Sequence, residues 1–181
     1  MNSLLGILEY SKILIKRYQD SDGIAIDMTL GKGNDTIYLA NYFKKVYAFD
    51  IQAEALAISQ SKILTNEDKI ELICDNHDNF LNYVKEEVSL FIYNLGYLPG
   101  FSQDITTMVK TTLSSLDKAL TVLKKHGIII LVVYPGHQEG YRESQAISEY
   151  CDTLNRDYYK ISKYEIFSST KAPYVLAIHK K

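Results

Sequence analysis

Within ten residues, Asp27-Met28-Thr29-Leu30-Gly31-Lys32-Gly33-Asn34-Asp35-Thr36 sets two acids and two glycines directly after the apolar run Gly23-Ile24-Ala25-Ile26. Glycines in such a turn let backbone approach a ligand where a side chain would block it. The helix expected next offers unpaired N–H groups, with Asp35 and Thr36 as its expected caps. The spacing is close to the dinucleotide pattern G-x-G-x-x-G, but Thr36 stands where the third glycine belongs. A carboxylate at Asp27 repels a diphosphate and attracts an ammonium or a sulfonium. S-adenosylmethionine carries both cations.

Two more acids follow in the same pattern. Asp50 ends the apolar stretch Val46-Tyr47-Ala48-Phe49, where a carboxylate can accept both hydroxyls of a ribose, in NAD and S-adenosylmethionine sites alike. Asp75 closes the next stretch and precedes Asn76 and His77, a position from which side chains reach an adenine. Asn94-Leu95-Gly96-Tyr97-Leu98-Pro99-Gly100 then offers an amide oxygen followed by a tight turn, acceptors that suit an amine nucleophile. Tyr134-Pro135-Gly136-His137 adds a phenol and an imidazole. His137 is open to three roles: proton acceptor, phosphate contact or cap of the following helix. Cys74 and His77 have metal-like spacing without a second pair, so no metal site is expected.

The elements that must position these residues alternate. Apolar residues recur at helical spacing from Leu4 to about Tyr18, and Gln19-Asp20-Ser21-Asp22-Gly23 reads as a turn. Strands are expected over 23–28, 46–50, 69–74, 88–94, 127–134, 158–167 and 173–179. Helices are expected over 34–44, 52–64 and 77–86, around 105–125, and near 141–155. Strand–helix alternation means an α/β fold with a mostly parallel seven-stranded sheet and helices on both faces, the run 128–133 forming its buried centre. A chain of 181 residues, 46% of them apolar, fits one domain over 1–181 with the helix within 1–20 packed on it. Two cysteines are too few for a disulfide framework, and no apolar run approaches the roughly 20 residues that cross a bilayer, so a cytoplasmic protein without membrane contact is expected.

With DMTLGKGNDTIYLA, AFDIQ, NLGYLPG and VYPGH in order, the chain resembles the rRNA methylase family of MnmM/YtqB type, over about residues 5 to 140. The resemblance implies a Rossmann-like class I methyltransferase fold and S-adenosylmethionine as cofactor. It implies methylation of the amine of 5-aminomethyluridine, or its 2-thio form, at the wobble position of tRNA, to give the 5-methylaminomethyl nucleoside. By position it places Asp27, Gly31, Gly33, Asp35 and Thr36 at the cofactor's methionine end and Asp50 with Gln52 at its ribose, with Thr29, Asn34 and Ile51 also in the cofactor site. Asp75 and His77 join the cofactor site, while Asn94 faces both cofactor and amine, with Tyr134 and His137 as catalytic candidates. Met28, Asn34 and Phe101-Ser102-Gln103 depart from the family pattern.

A net charge of −2 excludes a grip on nucleic acid by bulk charge, so the tRNA anticodon stem-loop would be met locally. Lys12, Lys16, Arg17, Lys44, Lys45, Lys124, Lys125 and Arg142 are the candidates, and 15 tyrosines supply stacking surface. Homodimerisation is a further expectation. The alternatives are methylation of rRNA or another RNA base, an NAD-dependent oxidoreductase, and a non-catalytic nucleotide-binding module.

Overall fold

The computed structural model describes residues 5–63, 67–95, 108–167 and 171–181. Helix α1 (Ile7–Arg17) leads into β1 (Asp20–Asp27), then α2 (Asn34–Leu39), β2 (Phe43–Asp50), α3 (Ala53–Lys62) and β3 (Ile70–Cys74). A 3₁₀ segment (His77–Asn82) follows, then β4 (Val88–Asn94), α4 (Val109–Val122), β5 (Leu123–Val133), α5 (Gln138–Thr153), β6 (Tyr159–Glu165) and β7 (Tyr174–Lys180). The seven strands form one sheet in the order β3-β2-β1-β4-β5-β7-β6, in which only β7 runs antiparallel to its neighbours.

Burial on both faces explains the strand sequences. Val88 to Tyr93 and Gly127 to Val133 are buried throughout, so these strands carry apolar residues without alternation. Phe91 and Tyr93 point into a cluster with Phe80, Leu116 and Ile147, beneath α4 and α5. Leu90 and Ile92 point the other way, towards Leu14, Ile15 and Leu39 of α1 and α2. Lys16 and Arg17 in the last turn of α1 complement its dipole, and the Glu9 carboxylate accepts from the Gly6 N–H at 2.7 Å.

Several element boundaries differ from those expected. The stretch from Asp20 to Gly23 belongs to β1 rather than to a turn, because Asp20 pairs with Phe43 and its carboxylate accepts from the Ser89 hydroxyl at 2.7 Å. Helix α2 stops at Leu39, five residues short of the expected 44: the Asn41 side chain donates to the carbonyls of Ile37 and Tyr38, and Phe43 already enters β2. Of the helix expected over 77–86, only His77–Asn82 is helical, as a short 3₁₀ turn, started by Asn76, whose side chain accepts from the Asp78 N–H. Lys124 and Lys125 lie in β5, not at a helix end, and His126 beside them adopts a left-handed φ of 65°. Among the described residues, no helix is long and apolar enough to cross a membrane.

The chain passes from β1 outward to β2 and β3, then returns to the other side of β1 as β4. Between the carboxyl ends of β1 and β4 this reversal leaves a crevice, the place where open α/β sheets bind ligands. The strands around it depend on tight packing. Truncating Ile130, fully buried in β5, to Ala should cost about 2–5 kcal/mol of stability, read by urea denaturation.

Candidate functional site

A cavity of about 890 Å³ opens at this crevice, within the size range of cofactor sites. Its floor is the loop from Met28 to Gly33. The Met28 N–H donates to the Ile92 carbonyl and the Leu30 N–H to the Phe49 carbonyl, stitching the loop to β4 and β2. Gly31 and Gly33 have φ of 50° and 75°, the left-handed region that side chains disfavour. Gly31 lines the cavity, as close backbone approach requires. Gly33 serves a different need, because a Cβ there would sit 2.8 Å from the Ser59 hydroxyl on α3.

Asp27 lies behind this floor, 1% exposed. Its carboxylate accepts from the Thr29 N–H at 3.0 Å and from the Thr36 hydroxyl at 2.6 Å. Burial, reinforced by the charge of Asp35, pushes its pKa up to about 7. Asp35 lines the cavity and accepts from the Asn94 side-chain amide at 3.3 Å. Its own pKa is raised by burial, while Asn94 and the ammonium of Lys12 on α1 pull it down. Neither Asp35 nor Thr36 caps α2, contrary to expectation. Gly33 occupies the cap position without a side-chain bond, and both polar side chains turn to Asn94 and Asp27 instead.

Asp50 and Gln52 stand on the β2 side. The two Asp50 oxygens accept from the N–H groups of Gly31 and Gln52, each at 3.0 Å, which leaves a second lone pair on each oxygen. Ile51 beside them is exposed at the rim. Asp75 follows β3 and is held below the usual carboxylate range, first by the Asn79 amide and also by the Tyr83 hydroxyl. Burial pushes His77 down to about 4, so it enters the cavity wall as a neutral ring, edge-on to Tyr93. Asn34 and Thr29 complete this side, and the Thr29 hydroxyl accepts from the Asn94 backbone N–H at 2.7 Å.

Across the cavity lie Asn94, Tyr134 and His137. Burial and the nearby Asp35 charge raise the pKa of the Tyr134 phenol. His137 caps α5, its Nδ1 accepting from the Gly140 N–H at 3.1 Å. Of NLGYLPG, Asn94 and Leu95 are described; residues 96–100, with Phe101-Ser102-Gln103, lie outside the described residues.

The crevice thus gathers the expected residues, with Asp27, Gly33 and Thr36 in support behind the lining. Sequence reasoning missed Leu8 of α1 and Met108 and Thr111 at the start of α4, which also line it. No local motif marks them, because only the packing of distant helices brings them there. Asn76, named with Asp75 and His77 from the sequence, lines the cavity as well. Among the candidate RNA-binding cations, Lys45, Lys124 and Arg142 are already paired with Glu71, Asp20 and Glu139, while Lys12 sits over the Tyr38 ring at 5.5 Å.

A sheet with one reversed strand and a site at its β1/β4 switch point is the class I methyltransferase architecture. Solved structures agree. A "putative rRNA-methylase" of Clostridium thermocellum is 30% identical, with a TM-score of 0.96 over 99% of this chain and 100% of that one. A "putative methyltransferase" of Streptococcus mutans, in complex with SAH, is 32% identical, with a TM-score of 0.92 over 99% and 100%. The chain belongs to the family described as "Putative rRNA methylase", whose model matches residues 46–180. It is also 32% identical over 171 residues to the chloroplastic tRNA (mnm(5)s(2)U34)-methyltransferase of Arabidopsis thaliana, covering 86% of this chain. The chain spans 62% of the length of that relative.

The raised pKa of Asp27 fixes a sign for pH. Its folded-state value of about 7 exceeds the unfolded value near 4, so this group's stabilisation is full below about pH 4 and is lost as pH rises through about 7. Asp27→Asn should flatten that decline, with its advantage over wild type growing from pH 5 to pH 8 in urea denaturation. Parallel stability–pH curves for the two proteins would contradict the assignment.

Proposed function

We propose that this protein is an S-adenosylmethionine-dependent methyltransferase of tRNA. Its substrate in this reading is the amine of 5-aminomethyluridine or 5-aminomethyl-2-thiouridine at the wobble position, and its product the 5-methylaminomethyl nucleoside. One observation carries the reading: Asp50, with a lone pair left on each oxygen, lines one cavity together with Asp35 and the Asn94 side chain, and buried Asp27 lies behind its floor. Asp35 stands in the first turn of α2, where a dinucleotide would place its pyrophosphate, and its charge acts on buried Asp27 at the end of β1, so the pair favours a cationic cofactor over NAD. The SAH complex of the Streptococcus mutans relative supports the cofactor, and the Arabidopsis relative supports the substrate.

The lining divides into parts. Asp50 and Gln52 would hold the ribose, with Ile51, Asp75 and His77 around the adenine. Gly31, Asn34 and Thr29 would meet the methionine end, underpinned by Asp27, Gly33 and Thr36. S-adenosylmethionine, when bound, supplies an electrophilic methyl group. The protein's task is then to seat the amine in line and exclude water, for which Asn94 offers an amide oxygen and Tyr134 and His137 offer polar walls. Neutral His77 and the apolar floor from Met28 to Leu30 keep the site dry.

Asp50→Ala should weaken S-adenosylmethionine binding by about 1.5–3 kcal/mol, the range for a charged hydrogen bond, measured by calorimetry. Unchanged affinity in the folded variant would remove Asp50 from the site. The substrate is checked by incubating the protein with tRNA bearing 5-aminomethyluridine, and separately with rRNA, then digesting to nucleosides for mass spectrometry. Appearance of the 5-methylaminomethyl nucleoside is the expected result; methylation of rRNA alone would replace it with the rRNA reading. Asn94→Ala should lower the single-turnover rate on tRNA more than it lowers cofactor affinity.

A further inference from the structure

The site has to solve a protonation problem that the methyl donor does not address. An aliphatic amine is mostly an ammonium at pH 7 and has no lone pair to offer. We propose that Asp35 is the proton acceptor for the substrate amine, working beside Asn94, which seats the same nitrogen. This inference rests on the tRNA aminomethyl reading given above.

Three elements bring the groups together: Asp35 from the first turn of α2, Asn94 from the end of β4 and Tyr134 from the end of β5 all line the cavity. The Asn94 Nδ2 donates to Asp35 Oδ2 at 3.3 Å, which leaves the Asn94 oxygen to accept from an incoming N–H. The two side chains line one cavity side by side, so an amine entering there meets both groups. Asn94 itself is fixed from behind through its backbone N–H on the Thr29 hydroxyl.

The other polar groups at the site are poorly suited to the role. His137 spends Nδ1 on the Gly140 N–H, and its Nε2 is buried. The Tyr134 phenol is held protonated by burial and by Asp35. Asn94 has no basic atom. Around Asp35, Lys12 on α1 favours the ionised form, while burial and the neighbouring Asp27 on β1 raise the proton affinity of the acid pair. The result is a carboxylate more basic than a solvated one, as a proton acceptor at neutral pH requires.

The step balances. One N–H bond of the ammonium breaks, its electron pair stays on nitrogen as the attacking lone pair, and the proton moves to an Asp35 oxygen. The neutral carboxyl group returns that proton to water when the product leaves.

The test is the pH dependence of single-turnover methylation between about pH 6 and pH 10 for wild type, Asp35→Asn and Asp35→Glu, on tRNA bearing 5-aminomethyluridine. Binding of S-adenosylmethionine and of tRNA to each protein is followed by calorimetry. Asn at position 35 keeps an acceptor for the Asn94 amide and removes only the base. Wild type should reach its plateau near neutrality. Asp35→Asn should be about 100-fold slower at pH 7, its rate climbing with pH until the gap narrows as the free amine forms unaided. Asp35→Glu should recover part of the plateau, and the Asp35→Asn loss at saturating S-adenosylmethionine should exceed any fall in its cofactor affinity. An Asp35→Asn profile shaped like wild type would overturn the proposal. So would a loss confined to cofactor affinity, which would assign Asp35 to the methionine ammonium instead. A wild-type protein inactive on this tRNA would overturn the substrate reading and the inference with it, whereas an active wild type with an unaffected variant overturns the inference alone.

Discussion

The burial of one carboxylate organises this crevice. Asp27 ends β1 inside the protein, where an isolated anion would be costly, and two donors together with a raised pKa offset that cost. Those donors are the backbone of Thr29 and the hydroxyl of Thr36, so satisfying the acid also fixes both ends of the intervening loop. From Thr29 the constraint passes through its hydroxyl to the backbone of Asn94. From Gly31, inside the same loop, it passes to Asp50. Three strand ends are therefore placed relative to one another by hydrogen bonds that all lead back to Asp27, behind the cavity lining.

This arrangement separates support from contact. Residues in the rear, such as Asp27, Thr36 and Gly33, have their polar groups or their space committed to neighbours. Residues in front keep bonding capacity free on a fixed frame, as Asp50 does with both oxygens already anchored once. A frame locked in this way loses little entropy on binding, which is the advantage of placing a site on strand ends rather than on long loops.

Much of this was legible in the sequence. A parallel sheet puts every strand's carboxyl end on one edge, so acids closing successive apolar runs at Asp27, Asp50 and Asp75 had to converge once alternation was recognised. The missed parts share a physical cause: tertiary partners overrode local preference. Asp35 and Thr36 have the chemistry of helix caps, yet buried Asp27 and the Asn94 amide compete for them and prevail. Asp20-Ser21-Asp22-Gly23 has turn composition, but Ser89 and Lys124 hold Asp20 into the sheet. Ahead of the 3₁₀ turn, the Asp75 and Asn76 side chains accept from the N–H groups of Asn76 and Asp78, local bonds that compete with a regular helical start. Leu8 reaches the cavity only because α1 packs across the sheet, and no pattern around Leu8 encodes that.

That packing also ties distant parts of the chain to the cavity. Helix α1 rests on β5, β6 and β7, with Tyr10 stacked on Tyr164 at 4.2 Å and the Tyr164 hydroxyl bonded to the Leu5 carbonyl. Its other apolar contacts, through Leu14 and Ile15, reach Leu39, Leu90 and Ile92. The cavity wall that Leu8 supplies therefore leans on an edge strand 159 positions away in sequence from the carbonyl it holds. Closing so long a loop costs entropy, so a disturbance of the β6–β7 pair would be felt at the cavity through α1.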